Sequence, residues 1–104
     1  MKKLILIVLL IFSSPSYAEW TEINKNAFAT HYVDFKKTRK HDGYVYYWML
    51  QDYLTELGGI LSSKIYKQGD CKLFRAKYLS YVHHQQPMGR DIGDANNEKN
   101  PEWE

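Results

Sequence analysis

The stretch "HDGYVYYWMLQDYL", His41 to Leu54, decides the fold. Asp42-Gly43 is a strong short hairpin signal when strands flank it, because both positions of the turn need positive φ. Read as a strand, the run puts Tyr44, Tyr46, Trp48, Leu50 and Asp52 on one face. Val45, Tyr47, Met49, Gln51 and Tyr53 go on the other. Both faces are largely apolar, which predicts a central strand rather than an edge. A helix over Tyr44 to Leu57 is the competing reading. Val45 and the consecutive aromatics Tyr46-Tyr47-Trp48 lower helix propensity, so strand is preferred. Gly58-Gly59 then breaks the element.

Working outward, "ATHYVDF" (Ala29 to Phe35) is rich in strand formers, and "EWTEINKN" (Glu19 to Asn26) ends in a turn-like Asn24-Lys25-Asn26. Ser62 to His84 predicts two strands with Gln68-Gly69-Asp70 as the turn or bulge between them. Beyond it Cys71, Leu73, Arg75, Lys77 and Leu79 share one side, and Lys72, Phe74, Ala76, Tyr78 and Ser80 the other. Gln85 to Glu104 carries Pro87, Gly89, Gly93, Asn96-Asn97 and Pro101, and reads as a long surface loop. The nine tyrosines of the chain favour half-buried strand surfaces.

"MKKLILIVLLIFSSPSYA" (residues 1–18) has the form of a secretory signal: Lys2-Lys3, an apolar run Leu4 to Phe12, then small residues up to Ala18, with cleavage expected before Glu19. Nine residues at about 1.5 Å each are too few for a bilayer core of about 30 Å. No cysteine stands at the cleavage point to be lipidated. The expected mature domain is 19–104. Removing Lys2 and Lys3 takes the fourteen lysines and arginines down to twelve, equal to the twelve acidic residues. A neutral domain lacks the basic footprint that nucleic-acid binding needs. The short run Lys36, Lys37, Arg39, Lys40 reads as a solvated strand end.

Catalytic and metal-binding patterns are weak. His83-His84, with Asp91 or Asp94 nearby, are candidate ligands, but neighbours on a strand point to opposite faces and no zinc spacing is present. Cys71 with a histidine is a candidate nucleophile pair without a hydrolase signature. Asp34, Asp52 and Asp70 are candidate carboxylates whose plainer reading is strand ends and turns. Gly58-Gly59 is followed by Ile60-Leu61, not by a phosphate-loop lysine. The aromatic stripe suits haem, a peptide or a glycan, or simply a core.

Taken together, Trp20, Tyr32, Asp34, Gly43, Trp48, Leu50, Asp52-Tyr53, Ser63-Lys64, Asp70-Cys71, Arg75, Met88-Gly89 and Trp103 give the chain a pattern that resembles the surface-adhesin protein E family of small exported bacterial proteins. The resemblance spans nearly all of 19–104. It implies an α+β fold, a small antiparallel sheet packed by a C-terminal helix. It also implies a disulfide from sheet to helix, with Cys71 as the sheet half. The helix and its cysteine are expected beyond residue 104, since the chain ends at "NPEWE". Haem and host-matrix binding belong to the resemblance alone.

The expected function is a non-enzymatic exported binding or envelope-interaction module, in the periplasm, at the outer cell surface or outside the cell. Its expected partners are extracellular or envelope proteins, with self-association through an uncovered sheet face. No cofactor, metal, nucleic acid or membrane span is expected after cleavage. The alternatives are a truncated fragment without function of its own and a small periplasmic enzyme using Cys71 or His83-His84.

Overall fold

A computed structural model describes residues 19–104. The expected signal sequence and its cleavage site at Ala18-Glu19 lie outside or at the border of the described residues. The described residues form one seven-stranded sheet in which every pairing is antiparallel. Its strands are β1 (Thr21–Lys25), β2 (Ala29–Val33), β3 (Arg39–His41), β4 (Tyr44–Leu57), β5 (Ile60–Asp70), β6 (Arg75–His84) and β7 (Asp94–Asn97). The order is β1-β2-β4-β5-β6-β7, and β3 pairs with the part of β4 that β2 leaves free.

The 14-residue β4 is central, as its two apolar faces require. Asp42 and Gly43 have φ of 52° and 82°, the left-handed pair that a two-residue hairpin needs, and His41 pairs with Tyr44 across them. Gly58-Gly59 does not end the sheet. It is a second such turn, with φ of 57° and 88° and Leu57 paired to Ile60.

The α+β expectation is corrected. Among the described residues there is no α-helix. The only helical pieces are three-residue 3-10 turns at Phe35–Lys37 and Pro87–Gly89. From Tyr44 to His84 the chain is three long strands of β-branched and aromatic residues. The stretch after them is broken by Pro87, Gly89, Gly93 and Pro101. The helix had come from the resemblance, not from any residue present. Gln85 to Glu104 is also more ordered than a loop. It contains β7, and Glu104 exchanges backbone hydrogen bonds with Ala76 at 2.9 and 3.1 Å.

The turn between β5 and β6 lies at Cys71 to Phe74, not at Gln68-Gly69-Asp70, which complete β5. Asp70 builds it. Its Oδ1 accepts from the amides of Lys72 and Leu73 at 3.1 and 3.4 Å, and its Oδ2 accepts from Arg75 Nε at 3.1 Å.

In β6 a bulge skips Leu79: Tyr66 faces Ser80 while Lys67 faces Tyr78. The expected alternation therefore holds from Arg75 to Tyr78 and reverses afterwards. One sheet face carries Tyr46, Trp48, Leu50 and Asp52 of β4, Ser62, Lys64 and Tyr66 of β5, and Val82 and His84 of β6. The 85–93 segment covers one end of this face. Met88 N donates to Asp52 Oδ1 at 2.8 Å, Gly89 N donates to Ser62 Oγ at 2.8 Å, and Ser62 Oγ donates to the Gln86 carbonyl at 2.6 Å. Beneath it Leu50, Ser62 and His84 are buried. On the opposite face Tyr47, Lys67, Tyr78, Tyr81 and His83 stay half-exposed, and their larger side chains surround the buried Ile65.

Candidate functional site

Beside the covered end, on the same face, lies a cleft of about 340 Å³ lined by Trp20, Asp34, Lys37, Trp48, Lys64, Val82 and Ile92. Six separate pieces of chain build it. Trp20 precedes edge strand β1. Asp34 precedes the short turn after β2 and Lys37 is its last residue. Trp48, Lys64 and Val82 come from three adjacent strands, and Ile92 from the covering segment. Trp48 is held by Tyr66 across the strand pair, with ring centroids 4.9 Å apart. Lys64 runs beneath Gly89, where a side chain would sit 2.6 Å from its Cε. Burial lowers the Lys64 pKa first of all; the nearby Asp91 carboxyl works against this and Lys37 adds to it.

Asp34 is the anomaly. Its side chain is fully buried, and both carboxyl oxygens lack a hydrogen-bond partner among the described residues. It stands where an aspartate ordinarily caps a helical turn, yet it makes no side-chain cap bond. Only its backbone is engaged: the amide donates to the Trp48 carbonyl at 3.2 Å, and its own carbonyl accepts from Lys37 N at 3.3 Å. Buried polar atoms without partners are rare in folded proteins and costly, so each one needs a reason.

The candidate residues named from sequence are dispersed. His83 and His84 point to opposite faces. His83 Nδ1 lies 2.8 Å from Ser63 Oγ on the open face. His84 is buried under the covering segment, with Nδ1 2.9 Å from Asp91 Oδ1. Since Asp91 can only accept when ionised, His84 Nδ1 carries the proton, and its Nε2 is buried without a partner among the described residues. Asp94 pairs across the strands with His83. Among the described residues no group of three or more His, Cys, Asp or Glu side chains converges to hold a metal ion.

Cys71 is exposed in the β5–β6 turn. His83 is paired with Ser63, about eight strand residues from the turn, or roughly 26 Å. The expected nucleophile pair is therefore not assembled. Asp70 builds a turn, as its plainer reading has it, whereas Asp52 lies inside β4 and accepts from the Met88 amide; Asp34 alone is left unexplained. Haem does not fit the cleft: none of its lining residues is a histidine, methionine, cysteine or tyrosine able to ligate the iron. Among the described residues no helix is long and apolar enough to cross a membrane.

Sequence reading singled out Trp20, Asp34 and Trp48 separately but did not bring them together, and it dismissed Lys37 as solvated. The signal for Asp34 was its position at the end of a β-rich run, and that signal pointed to a strand-end residue. Only the pairing of β2 with β4 puts it next to Trp48.

No curated protein and no solved structure matches the chain. The family model described as Surface-adhesin protein E matches residues 20–104, nearly the whole described domain. The chain belongs to the surface-adhesin protein E family.

Proposed function

We propose that this chain is an exported, non-enzymatic binding module that attaches the cell surface to an external ligand through the cleft between Trp20 and Trp48. The observation that carries this reading is Asp34, a fully buried carboxyl with two unpartnered oxygens at a cleft walled by indoles and lysines. Evolved binding sites commonly combine an apolar wall with a few polar groups that the protein itself leaves unsatisfied. Family membership supports the adhesive class of function. The dispersal of Cys71, His83 and His84 supports a binding role over the enzymatic alternative.

The secretory pattern of residues 1–18 supports export, with cleavage between Ala18 and Glu19 and a working domain of 19–104. The proposed partners are extracellular or envelope molecules.

The test is to display the chain on a non-adherent bacterial host and measure attachment to epithelial cells and matrix-coated surfaces. Attachment is expected to fall at least tenfold in the Trp20→Ala/Trp48→Ala variant. Strong attachment that ignores both substitutions would remove the cleft from the account.

A further inference from the structure

The chemistry of the cleft narrows what it can hold. Its walls are two indoles, flat and apolar. Its polar groups are of both kinds. Asp34 offers only acceptor oxygens once ionised, and Lys37 and Lys64 offer only donors. A cationic ligand would suit Asp34 and the indole faces, but it would enter against two lysines that already repel each other. An anion would suit the lysines and leave Asp34 both unpartnered and opposed to it. A plain aromatic or lipid would satisfy the indoles alone. What meets all three demands is an uncharged ring with an apolar face of C–H bonds and a rim of hydroxyls, each able to donate to Asp34 and to accept from a lysine. Lys37 is exposed and long, so its amine can swing to meet a ligand seated in the cleft.

We propose that the cleft is a saccharide site, in which a neutral pyranose stacks on Trp20 or Trp48, directs hydroxyls at Asp34 and accepts hydrogen bonds from Lys37 and Lys64. This rests on the reading of the cleft as the binding site and names its ligand class. The partner it fits is a glycan whose exposed residue is uncharged, presented on a cell surface or a matrix glycoprotein. Hydroxyls supply the partners that Asp34 lacks, and the indoles discriminate between sugars by which ring face is free of axial hydroxyls.

The experiment uses the exported chain with the methyl glycosides of glucose, galactose, mannose and N-acetylglucosamine. Binding is followed by saturation-transfer NMR and tryptophan fluorescence. At least one glycoside is expected to bind in the millimolar range or tighter. Asp34→Asn, which keeps shape and volume, and Trp20→Phe, at a half-exposed position outside the strands, are each expected to weaken it at least tenfold with an unchanged circular dichroism spectrum. The bound glycoside should also compete with surface attachment. If attachment depends on Trp20 and Trp48 but no neutral glycoside binds or competes, the saccharide class is wrong and the binding site stands. Binding of Nα-acetyl-lysine methyl ester instead would identify a basic protein segment as the ligand. If neither attachment nor any glycoside depends on these residues, both readings fall.

Discussion

At the scale of single residues, two carboxyls hold the ends of β6. Burial pushes Asp70 upward, but the hydrogen bond from Arg75, the amides of Leu73 and Lys72 and the Arg75 charge outweigh it and hold its pKa below the ordinary 3.8. Asp91 is the same case: burial raises it, while hydrogen bonds from the Gln85 amide, its own amide and His84, with the His84 charge, bring it below 3.8. A folded-state pKa below the unfolded one contributes stability that is present above the unfolded value and lost as pH falls through the folded one. Asp70→Asn and Asp91→Asn should therefore lower the urea midpoint at pH 7. Their differences from the parent should shrink at about pH 3 and below. Equal differences at both pH values would show that neither charge matters. Gly93 makes a steric prediction. Its φ is +74°, and an added Cβ would lie 2.8 Å from the His83 carbonyl and 2.7 Å from His84 Nδ1. Strain and overpacking together make Gly93→Ala cost about 2–4 kcal/mol. Gly58→Asn, at φ +57° in open space, should be close to neutral by the same denaturation assay.

At the scale of elements, the sheet was legible wherever local chemistry and long-range pairing agree. Asp42-Gly43 marked a hairpin, and the run from Tyr44 to Leu54 had two apolar faces, so β4 could only be central. The α-helix was the failure, since it was borrowed from a resemblance and no described residue supplies it. The order in Gln85 to Glu104 was hidden for a different reason. Its partners are side chains far away in sequence, Asp52 and Ser62 for Met88 and Gly89, and no local pattern announces them. The site was legible only as fragments. Trp20, Asp34, Trp48 and Lys64 meet through the strand order, and strand order is not written in any window of residues. The strand-end reading of Asp34 put it in the right place, directly after β2, but nothing local showed that its carboxyl would be buried without a partner.

At the scale of the whole molecule, one layer of strands leaves little to bury. The buried apolar side chains are Ala29, Val33, Leu50 and Ile65, so the domain should stand at the low end of the usual 5–15 kcal/mol. Its open face carries Tyr47, Tyr78 and Tyr81, with Tyr78 and Tyr81 rings 6.0 Å apart. Cys71, the single cysteine of the sequence, is exposed at one end of the sheet. We propose that it forms a disulfide either with a cysteine beyond residue 104 or with Cys71 of a second copy. Exported and oxidised, the chain of 104 residues should run partly as a dimer on a non-reducing gel, and Cys71→Ser should abolish that band. Quantitative maleimide labelling of Cys71 after export would show that no such bond forms.

The skipped residue in β6 has a consequence for how this family member can change. Leu79 is the strand's spare residue. With it in place, Tyr78 and Tyr81 share the open face and His84 meets Asp91 underneath the covering segment. Delete it, and Tyr78 runs straight into Ser80 with Lys67 and Tyr66 still opposite them, so every side chain keeps its face and the ladder becomes regular. Loss of Leu79 should therefore be far less damaging than loss of Leu79 and Ser80 together, which would turn the strand from Tyr81 to His84 over. The strand has slack for one residue and for no more.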